Sequence, residues 1–314
     1  MMQWIFILLG LGIMSVGADW LVKGCVRLAR QIGISEFLVS VVIIGIGTAL
    51  PELFIAISAG AQGSADILAG TIVSSNIINV WGILGLGFFI SPILISAARV
   101  HTRDIAFLWL SAVALLYCMA DGRIGIGDGI LLCVIFIAYV FECGKSQTQT
   151  KRIPLRWRRG GFGAAGVVEL KKIIFPIFIG AAAVYLGGEL FMHALNKIMS
   201  VFNISETRAG LLIAGPATCA PELLVTIFAA AGRHPGVALG NILGSNFMNA
   251  TMVIAAGALT APVLVAPEII KFDMWIMLAA TAMLCAQLMW TKHFTRITGV
   301  LYLTLLGIYF WVVV

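Results

Sequence analysis

The sequence predicts an all-α polytopic membrane protein, with ten transmembrane helices arranged as two inverted five-helix repeats. Three observations support this: an apolar composition, long apolar runs that recur along the chain, and a first half that resembles the second. Of the 314 residues, 61% are hydrophobic and only 11% are charged, and the mean hydropathy is +1.06. Soluble domains carry roughly 25% charged residues, so a soluble globular fold is close to excluded, and a disordered chain is excluded as well.

Ten apolar runs approach the length of about 20 residues that a membrane-spanning helix needs. The fourth and the ninth runs are short. The runs cover residues 4–22, 37–62, 67–90, 105–120, 124–141, 173–195, 209–231, 237–259, 274–290 and 297–314. They predict a chain that crosses the membrane ten times.

The distribution of basic residues predicts how the chain is oriented. With the N-terminus outside, sixteen of the twenty Lys and Arg residues fall in cytoplasmic loops, eight of them in the central segment 144–172. Cytoplasmic loops are enriched in Lys and Arg, so the net charge of +6 indicates topology and does not argue for a nucleic-acid partner. We expect both termini outside a prokaryotic plasma (inner) membrane. Contact with anionic lipid headgroups is a second interpretation of the cations in 144–172.

The two halves of the chain repeat each other at a constant offset of 170 residues. Residues 34–79 align without a gap onto 204–249, and 17 of the 46 positions are identical, including Pro, Glu, Ser and Asn. Five spans is an odd number, so the second half must enter the membrane in the opposite orientation, as in many secondary transporters. The chain therefore divides into a first repeat, 1–143, a basic cytoplasmic linker, 144–172, and a second repeat, 173–314.

A proline interrupts an apolar span in each repeat. Pro51 lacks an N–H and crowds the carbonyl group of Gly47, four residues earlier. The residue before it, Leu50, is disfavoured in helical geometry. The segment 215–222 repeats this pattern, with Ala217 in the place of Gly47. We expect a helix break in each repeat that leaves free carbonyl groups, which need a partner inside the protein or in a wet cavity.

Each proline is followed by a glutamate, Glu52 in the first repeat and Glu222 in the second. A carboxylate there complements the dipole of the downstream half-helix. Placing it in mid-membrane still costs at least about 2.5–3.5 kcal/mol. One such residue could be a protonated structural glutamate. Two at equivalent positions, each on a proline break, favour a functional site.

Polar side chains recur in step with the glutamates on the next span of each repeat. Ser75 and Asn79 are four residues apart and share a helix face, and Ser245 and Asn249 do the same. Alone, such residues usually form hydrogen bonds between membrane helices. Their repetition favours ion ligands.

The other polar residues fit structural roles. An acidic residue four positions before a basic one predicts a helix-end pair, and a glutamate after a serine predicts a helix start. The pairs are Asp19 with Lys23 and Glu189 with His193, and the starts are Glu36 and Glu206. Asn76 and Asn246 point about 100° away from their serine neighbours, so either a ligand or a helix pin fits them. The six cysteines form no CxxC pair and fit buried apolar thiols.

The candidate ligands are carboxylate, hydroxyl, amide and backbone oxygens. Such hard donors favour Ca²⁺, Na⁺ or Mg²⁺ over zinc or copper. Glu52, Glu222, Thr48, Thr218 and the freed carbonyl groups can supply the 6–8 oxygens that Ca²⁺ takes. Two carboxylates balance one Ca²⁺ or two monovalent ions, which makes occupancy mutually exclusive and predicts exchange. The sequence contains no nucleophile–base pair, phosphate loop or cofactor motif, so we expect neither an enzyme nor a cofactor.

The paired segments resemble the α-repeats of the sodium/calcium exchanger family, within the cation/Ca²⁺ exchanger superfamily. The stretches are GTALPE (47–52) with SSNIIN (74–79), and ATCAPE (217–222) with GSNFMN (244–249). The resemblance implies Ca²⁺/Na⁺ antiport by alternating access, with spans one and six sliding across the rest. It makes Glu52 and Glu222 the central ligands. The surrounding ligands are then Thr48, Thr218, Ser75, Ser245, Asn79 and Asn249, to which the helix breaks add the carbonyl groups of Gly47 and Ala217.

The chain departs from the family pattern in ways that leave the coupling ion open. Ala49 and Cys219 stand where the family commonly has serine, and Asn79 and Asn249 are both amides where some members carry an aspartate. With only two acids, a third Na⁺ would leave the site with a net charge of +1. H⁺/Ca²⁺ antiport and K⁺-dependent Na⁺/Ca²⁺ antiport are therefore alternatives. A cation channel or a non-transporting membrane protein is the alternative from a different class, and the oligomeric state is not predicted.

Overall fold

The computed structural model describes the chain in separate stretches and is almost entirely helical within them. The stretches are residues 2–32, 34–50, 52–53, 56–57, 66–90, 100–149, 164–201, 215–291 and 294–313. Within them, eight helices are long and apolar enough to cross a membrane, and the shorter apolar helices Glu36–Thr48 and Ala220–Ala231 accompany them. The prediction of a helical, multi-pass membrane protein is confirmed.

The first half of the described chain forms five helical elements and a short strand. They are α1 (Met2–Ile32), α2 (Glu36–Thr48, with a π-helical turn at Ser40–Ile44), α3 (Asp66–Ile77, continued by the π-helical Ile78–Leu84 and by Gly85–Ile90), α4 (Thr102–Met119), β1 (Arg123–Ile124) and α5 (Ile126–Gln149).

The second half of the described chain is also helical, but its short strand precedes the last two helices, whereas β1 precedes only the last one. Its elements are α6 (Ala164–Val201), α7 (Gly215–Thr218), α8 (Ala220–Ala231), α9 (Pro235–Met248, continued by the π-helical Asn249–Val253 and by Ile254–Thr260), β2 (Val263–Leu264), α10 (π-helical Ile269–Asp273, then Met274–Ala286 and π-helical Gln287–Thr291) and α11 (Arg296–Val313).

Several helices are longer than the apolar runs that predicted them. Helix α1 continues ten residues beyond residue 22, and α5 and α6 extend into the predicted linker 144–172. A helix can carry a polar end beyond the apolar run, because its backbone groups remain bonded there. The predicted pair at the end of span one is confirmed, since Lys23 Nζ donates to Asp19 Oδ2 at 2.7 Å.

The start of α2 also agrees with prediction. Ser35 Oγ accepts from the backbone N–H of Leu38 at 3.2 Å, and the helix begins at Glu36. The equivalent start at Glu206 lies outside the described residues. All six cysteines are free, and five of them are buried.

Helices α3 and α9 form the centre of the molecule. In each of them 83% of the membrane-spanning window is buried, compared with 17% in α11. Helix α9 packs closely against α2, since a Cβ atom on Gly244 would lie 2.8 Å from the backbone oxygen of Val41. This contact brings the break of one half beside the polar helix of the other.

Glycines bring α1 and α6 into backbone contact along their length. A Cβ atom on Gly10 would lie 2.7 Å from the backbone oxygen of Gly187, and one on Gly17 would lie 2.8 Å from that of Gly180. Small residues permit such close approach between membrane helices. The contact maps onto itself under the 170-residue offset, because Gly10 corresponds to Gly180 and Gly17 to Gly187.

A two-stranded antiparallel pairing joins the two halves at one end of the bundle. Arg123 pairs with Leu264, and Ile124 pairs with Val263. The all-α prediction is wrong for these four residues. Strands of two residues are too short for an alternating pattern to signal them in a sequence.

Candidate cation site

The predicted helix breaks occur at equivalent positions in the two halves. Helix α2 ends at Thr48, followed by Ala49 with φ −80° and ψ −1°. Helix α8 begins after Cys219, which has φ −76° and ψ −1°. Leu50 itself is helical, so the expectation that it would leave helical geometry is wrong, and the break falls at Ala49. Pro221 is accommodated in the first turn of α8, where its missing N–H is not needed.

The breaks leave two backbone carbonyl groups without the usual helical donor. The residue four positions after Gly47 is a proline, and so is the residue four positions after Ala217. Both residues are buried. The neighbouring carbonyl groups of Ala49 and Cys219 do accept, from the N–H groups of Leu53 and Leu223 at 2.9 Å. Each break therefore offers an oxygen to a partner that is not part of the helix.

Glu52 and Glu222 are both buried, and neither carboxyl group has a hydrogen-bond partner. Each is 1% exposed. None of their four carboxyl oxygens has a hydrogen-bond partner, and the two groups lie close enough for their charges to interact. A buried carboxyl group without a partner is costly. A cation or a proton is the kind of partner that these carboxyl groups lack.

Hydroxyl groups from opposite halves meet beside each carboxyl group. Thr48 Oγ1 lies 3.1 Å from Ser245 Oγ, and Ser75 Oγ lies 3.2 Å from Thr218 Oγ1. Thr218 lies beside Glu52, and Thr48 and Ser245 lie beside Glu222, without reaching hydrogen-bond geometry to the carboxyl oxygens. The structure therefore brings the predicted hydroxyl groups together with the glutamates, and it pairs them across the halves.

The two predicted asparagine ligands each leave an oxygen free. Asn79 Nδ2 donates to Asn246 Oδ1 at 2.9 Å, and Asn249 Nδ2 donates to Asn76 Oδ1 at 3.3 Å. The Oδ1 atoms of Asn79 and Asn249 are buried without a partner. The sequence left open whether Asn76 and Asn246 bind an ion or connect two helices. In the structure, both amide atoms of each side chain are hydrogen-bonded to protein.

The π-helical segments of α3 and α9 contain the two predicted asparagine ligands. Asn79 lies in Ile78–Leu84, and Asn249 begins Asn249–Val253. Such π-helical insertions occur frequently at functional sites. The spacing of polar residues gives the helix face but carries no signal of the extra residue in the turn.

Asn241 is a buried polar residue beside the candidate ligands that the sequence reasoning missed. Its Nδ2 atom donates to the backbone oxygen of Glu222 and to Thr226 Oγ1, both at 3.0 Å. Its Oδ1 atom accepts from Thr48 Oγ1 at 3.5 Å. The residue continues the series of polar residues four apart on α9, and that spacing could have identified it.

The donor set of the site is poor in charged ligands. Within the described stretches, no group of three or more His, Cys, Asp or Glu side chains could hold a metal ion. The negative charge comes from Glu52 and Glu222, and the other donors are neutral oxygens. This composition suits hard cations that exchange readily.

The family model of the sodium/calcium exchanger protein matches residues 2–143 and 172–314. The chain belongs to the sodium/calcium exchanger family. Relatives of this exchanger include an uncharacterized membrane protein of Methanocaldococcus jannaschii, 30% identical over 262 residues that cover 81% of this chain and 80% of that protein. The sodium/calcium exchanger MaX1 of Methanosarcina acetivorans is 26% identical over an alignment of 324 positions that covers 90% of each protein.

The fold of this exchanger is similar to that of an archaeal relative. The solved structure of the sodium/calcium exchanger from Methanococcus jannaschii superimposes with a TM-score of 0.80 at 28% identity, covering 98% of this chain and 96% of that one. Family and fold together identify a prokaryotic-type, multi-pass membrane transporter of the cation/Ca²⁺ exchanger type. This agrees with the resemblance that the paired sequence motifs predicted.

Proposed function

We propose that this protein is a secondary active antiporter that exchanges Ca²⁺ for Na⁺ by alternating access at one site between its halves. The observation that carries the proposal is a set of six buried oxygens without a protein partner: the four carboxyl oxygens of Glu52 and Glu222, and the amide oxygens of Asn79 and Asn249. Buried polar atoms are normally bonded. Six unpartnered acceptors in the candidate site call for a cation.

The full ligand set that we propose has ten members. Glu52 and Glu222 are its charged centre, and neutral oxygens complete it. The neutral members are the side chains of Thr48, Thr218, Ser75, Ser245, Asn79 and Asn249 and the backbone carbonyl groups of Gly47 and Ala217. Ca²⁺ takes 6–8 oxygens, so this set exceeds the need of one ion. Two carboxylates balance one Ca²⁺ or two Na⁺, and either occupancy leaves no uncompensated buried charge.

The contact pattern supports an inverted repeat of ten spans, with repeats 1–143 and 173–314. Thr48 corresponds to Thr218 under the 170-residue offset, and Ser75 corresponds to Ser245. The contacts Thr48–Ser245 and Ser75–Thr218 therefore exchange when the halves are exchanged. A two-fold axis in the membrane plane produces this pattern. We propose that both termini lie outside the plasma (inner) membrane, as the basic loops predict.

The coupling ion has a second candidate, H⁺. A buried carboxyl group can accept a proton in place of a metal ion, and Glu52 and Glu222 have no protein donor that would prevent it. Na⁺ is favoured by the neutral oxygens around the glutamates, because a proton needs one acceptor whereas Na⁺ needs a shell of them.

The test is uptake of ⁴⁵Ca²⁺ into proteoliposomes with Na⁺, K⁺ and H⁺ gradients imposed one at a time. We expect uptake to follow an outward Na⁺ gradient and to disappear in Glu52→Gln and in Glu222→Gln. Glu268→Gln is the matched control, because Glu268 is exposed at the start of α10. Uptake driven only by a pH gradient, or only with K⁺ present, would reassign the coupling. Uptake without any trans cation would indicate a channel, and near-normal uptake in both glutamine variants would reject the site.

A further inference from the structure

Asn76 and Asn246 connect α3 to α9 through a closed set of hydrogen bonds. Asn76 Nδ2 donates to the backbone oxygen of Asn246 at 3.3 Å, and Asn246 Nδ2 donates to the backbone oxygen of Asn76 at 3.1 Å. Both side chains are buried. Both amide atoms of each side chain are bonded to protein, in contrast to Asn79 and Asn249, whose Oδ1 atoms have no partner.

Contacts with the backbone fix the orientation of these two side-chain amides. A carbonyl oxygen can only accept, so the atom of Asn76 that meets the backbone oxygen of Asn246 must be its NH₂ group. Its Oδ1 atom then points the other way, toward Asn249. The same reasoning orients Asn246, whose Oδ1 atom meets Asn79.

The orientation of Asn76 and Asn246 determines in turn the orientation of the amides of Asn249 and Asn79. Asn76 Oδ1 can only accept, so Asn249 must present its own NH₂ group to it, at 3.3 Å. The Oδ1 atom of Asn249 is thereby turned away from the contact and stays without a partner. In the same way, Asn79 Nδ2 donates to Asn246 Oδ1 at 2.9 Å, which leaves Asn79 Oδ1 without a partner.

We infer that Asn76 and Asn246 are positioning residues, which hold the amides of Asn249 and Asn79 so that oxygen rather than nitrogen is presented to the bound cation. The inference rests on the proposed function. An asparagine that is free to flip would spend part of its time with an NH₂ group at the ion, where it repels the charge. Hydrogen-bond partners of metal ligands commonly act in this way, and their loss typically costs about 10–100-fold in metal affinity.

The arrangement is crossed, and this makes it testable. Asn76 orients Asn249 in the other half, and it makes no hydrogen bond to Asn79 in its own half. A residue that only pinned the two helices together would affect both ligands alike. A positioning residue affects one ligand and leaves the other unchanged.

The experiment is a pair of double-mutant cycles on the apparent KM for Ca²⁺ in proteoliposomes. We expect Asn76→Ala to raise this KM by about tenfold, with the maximal rate little changed. Asn249→Ala should raise it similarly, and the double variant should be no worse than the more affected single variant. Asn76→Ala combined with Asn79→Ala should instead multiply the two effects, since these residues act on different oxygens.

Equal coupling of Asn76 to Asn79 and to Asn249 would overturn the inference, as would an unchanged KM in Asn76→Ala. The mirrored cycle, Asn246→Ala with Asn79→Ala, answers the question if Asn76→Ala does not fold. Failure of both single variants to yield folded protein would identify the asparagines as structural pins and would also overturn it. Wild-type protein that moves no Ca²⁺ would instead reject the proposed function, so the two failures are distinguishable.

Discussion

The glycine contacts between α1 and α6 predict a large penalty for a single methyl group. A Cβ atom on Gly187 would lie 2.7 Å from the backbone oxygen of Gly10, and 2.8 Å from both the backbone nitrogen and Cγ of Met14. Two of these three atoms belong to backbone, so the neighbours cannot yield by a change of rotamer. We expect Gly187→Ala to destabilise the protein by about 1–3 kcal/mol, the usual cost of overpacking.

The chain provides a matched control for this prediction. Gly12 lies in the same helix pair, and a Cβ atom there would meet nothing within 4 Å. Gly12→Ala should be neutral or slightly stabilising, because alanine is a better helix former than glycine. The two variants thus make the same chemical change in closed and open surroundings.

The assay is thermal unfolding in detergent, followed by loss of the monodisperse peak in size-exclusion chromatography. One kcal/mol corresponds to roughly 2–4 °C in domains of 150–250 residues, so Gly187→Ala should unfold several degrees below Gly12→Ala. Identical midpoints for the two variants would refute the close backbone packing. The result bears on mechanism, because helices with interlocked backbones can slide across the rest of the protein only as a pair.

Two further predictions concern single side chains. Cys219→Ser should retain Ca²⁺ uptake but make it several times less sensitive to Cd²⁺, because soft metals prefer thiolate ligands. Cys219 Sγ lies 3.7 Å from the backbone oxygen of Ser75, which is a candidate ligand. Equal inhibition by Cd²⁺ in Cys219→Ser and in the control Cys118→Ser would argue against a thiol in the site. Tyr309→Phe should lower stability by about 1–3 kcal/mol, because Tyr309 donates to the buried Asp273 Oδ1 at 2.8 Å. Thermal unfolding checks this prediction against Tyr117→Phe, where the side chain is 72% exposed, and equal midpoints would contradict it.

The helix breaks and the ligand types could be predicted from the sequence because they depend on local chemistry. A proline removes one N–H and crowds one carbonyl group wherever it lies, so Pro51 and Pro221 determine the breaks to within a residue. The spacing of four residues between Ser75 and Asn79 determines a shared face in the same way. The exact residue of each break depends on the packing of the next helix, and the sequence alone did not predict that Leu50 is helical.

The partners across the site could not be predicted in the same way. The repeat aligns Thr48 with Thr218, but the structure pairs Thr48 with Ser245. That pairing depends on how α2 crosses α9, which the glycine contact at Gly244 sets. The roles of Asn76 and Asn246 depend on the same crossing, since a helical rotation of 100° distinguishes a ligand from a pin only when the neighbouring helix is known.

The crossed pairing has a consequence for exchange. Each carboxyl group belongs to one half and has a hydroxyl group of the other half beside it: Thr218 beside Glu52, and Thr48 beside Glu222. A movement of α2 relative to α7 and α8 would separate a hydroxyl group from each carboxyl group at the same time. Such a movement with the site empty would leave two buried charges without compensation, which is strongly unfavourable. In the proposed function, both carboxyl groups would thus change their surroundings together as the shared site exchanges one cation for another.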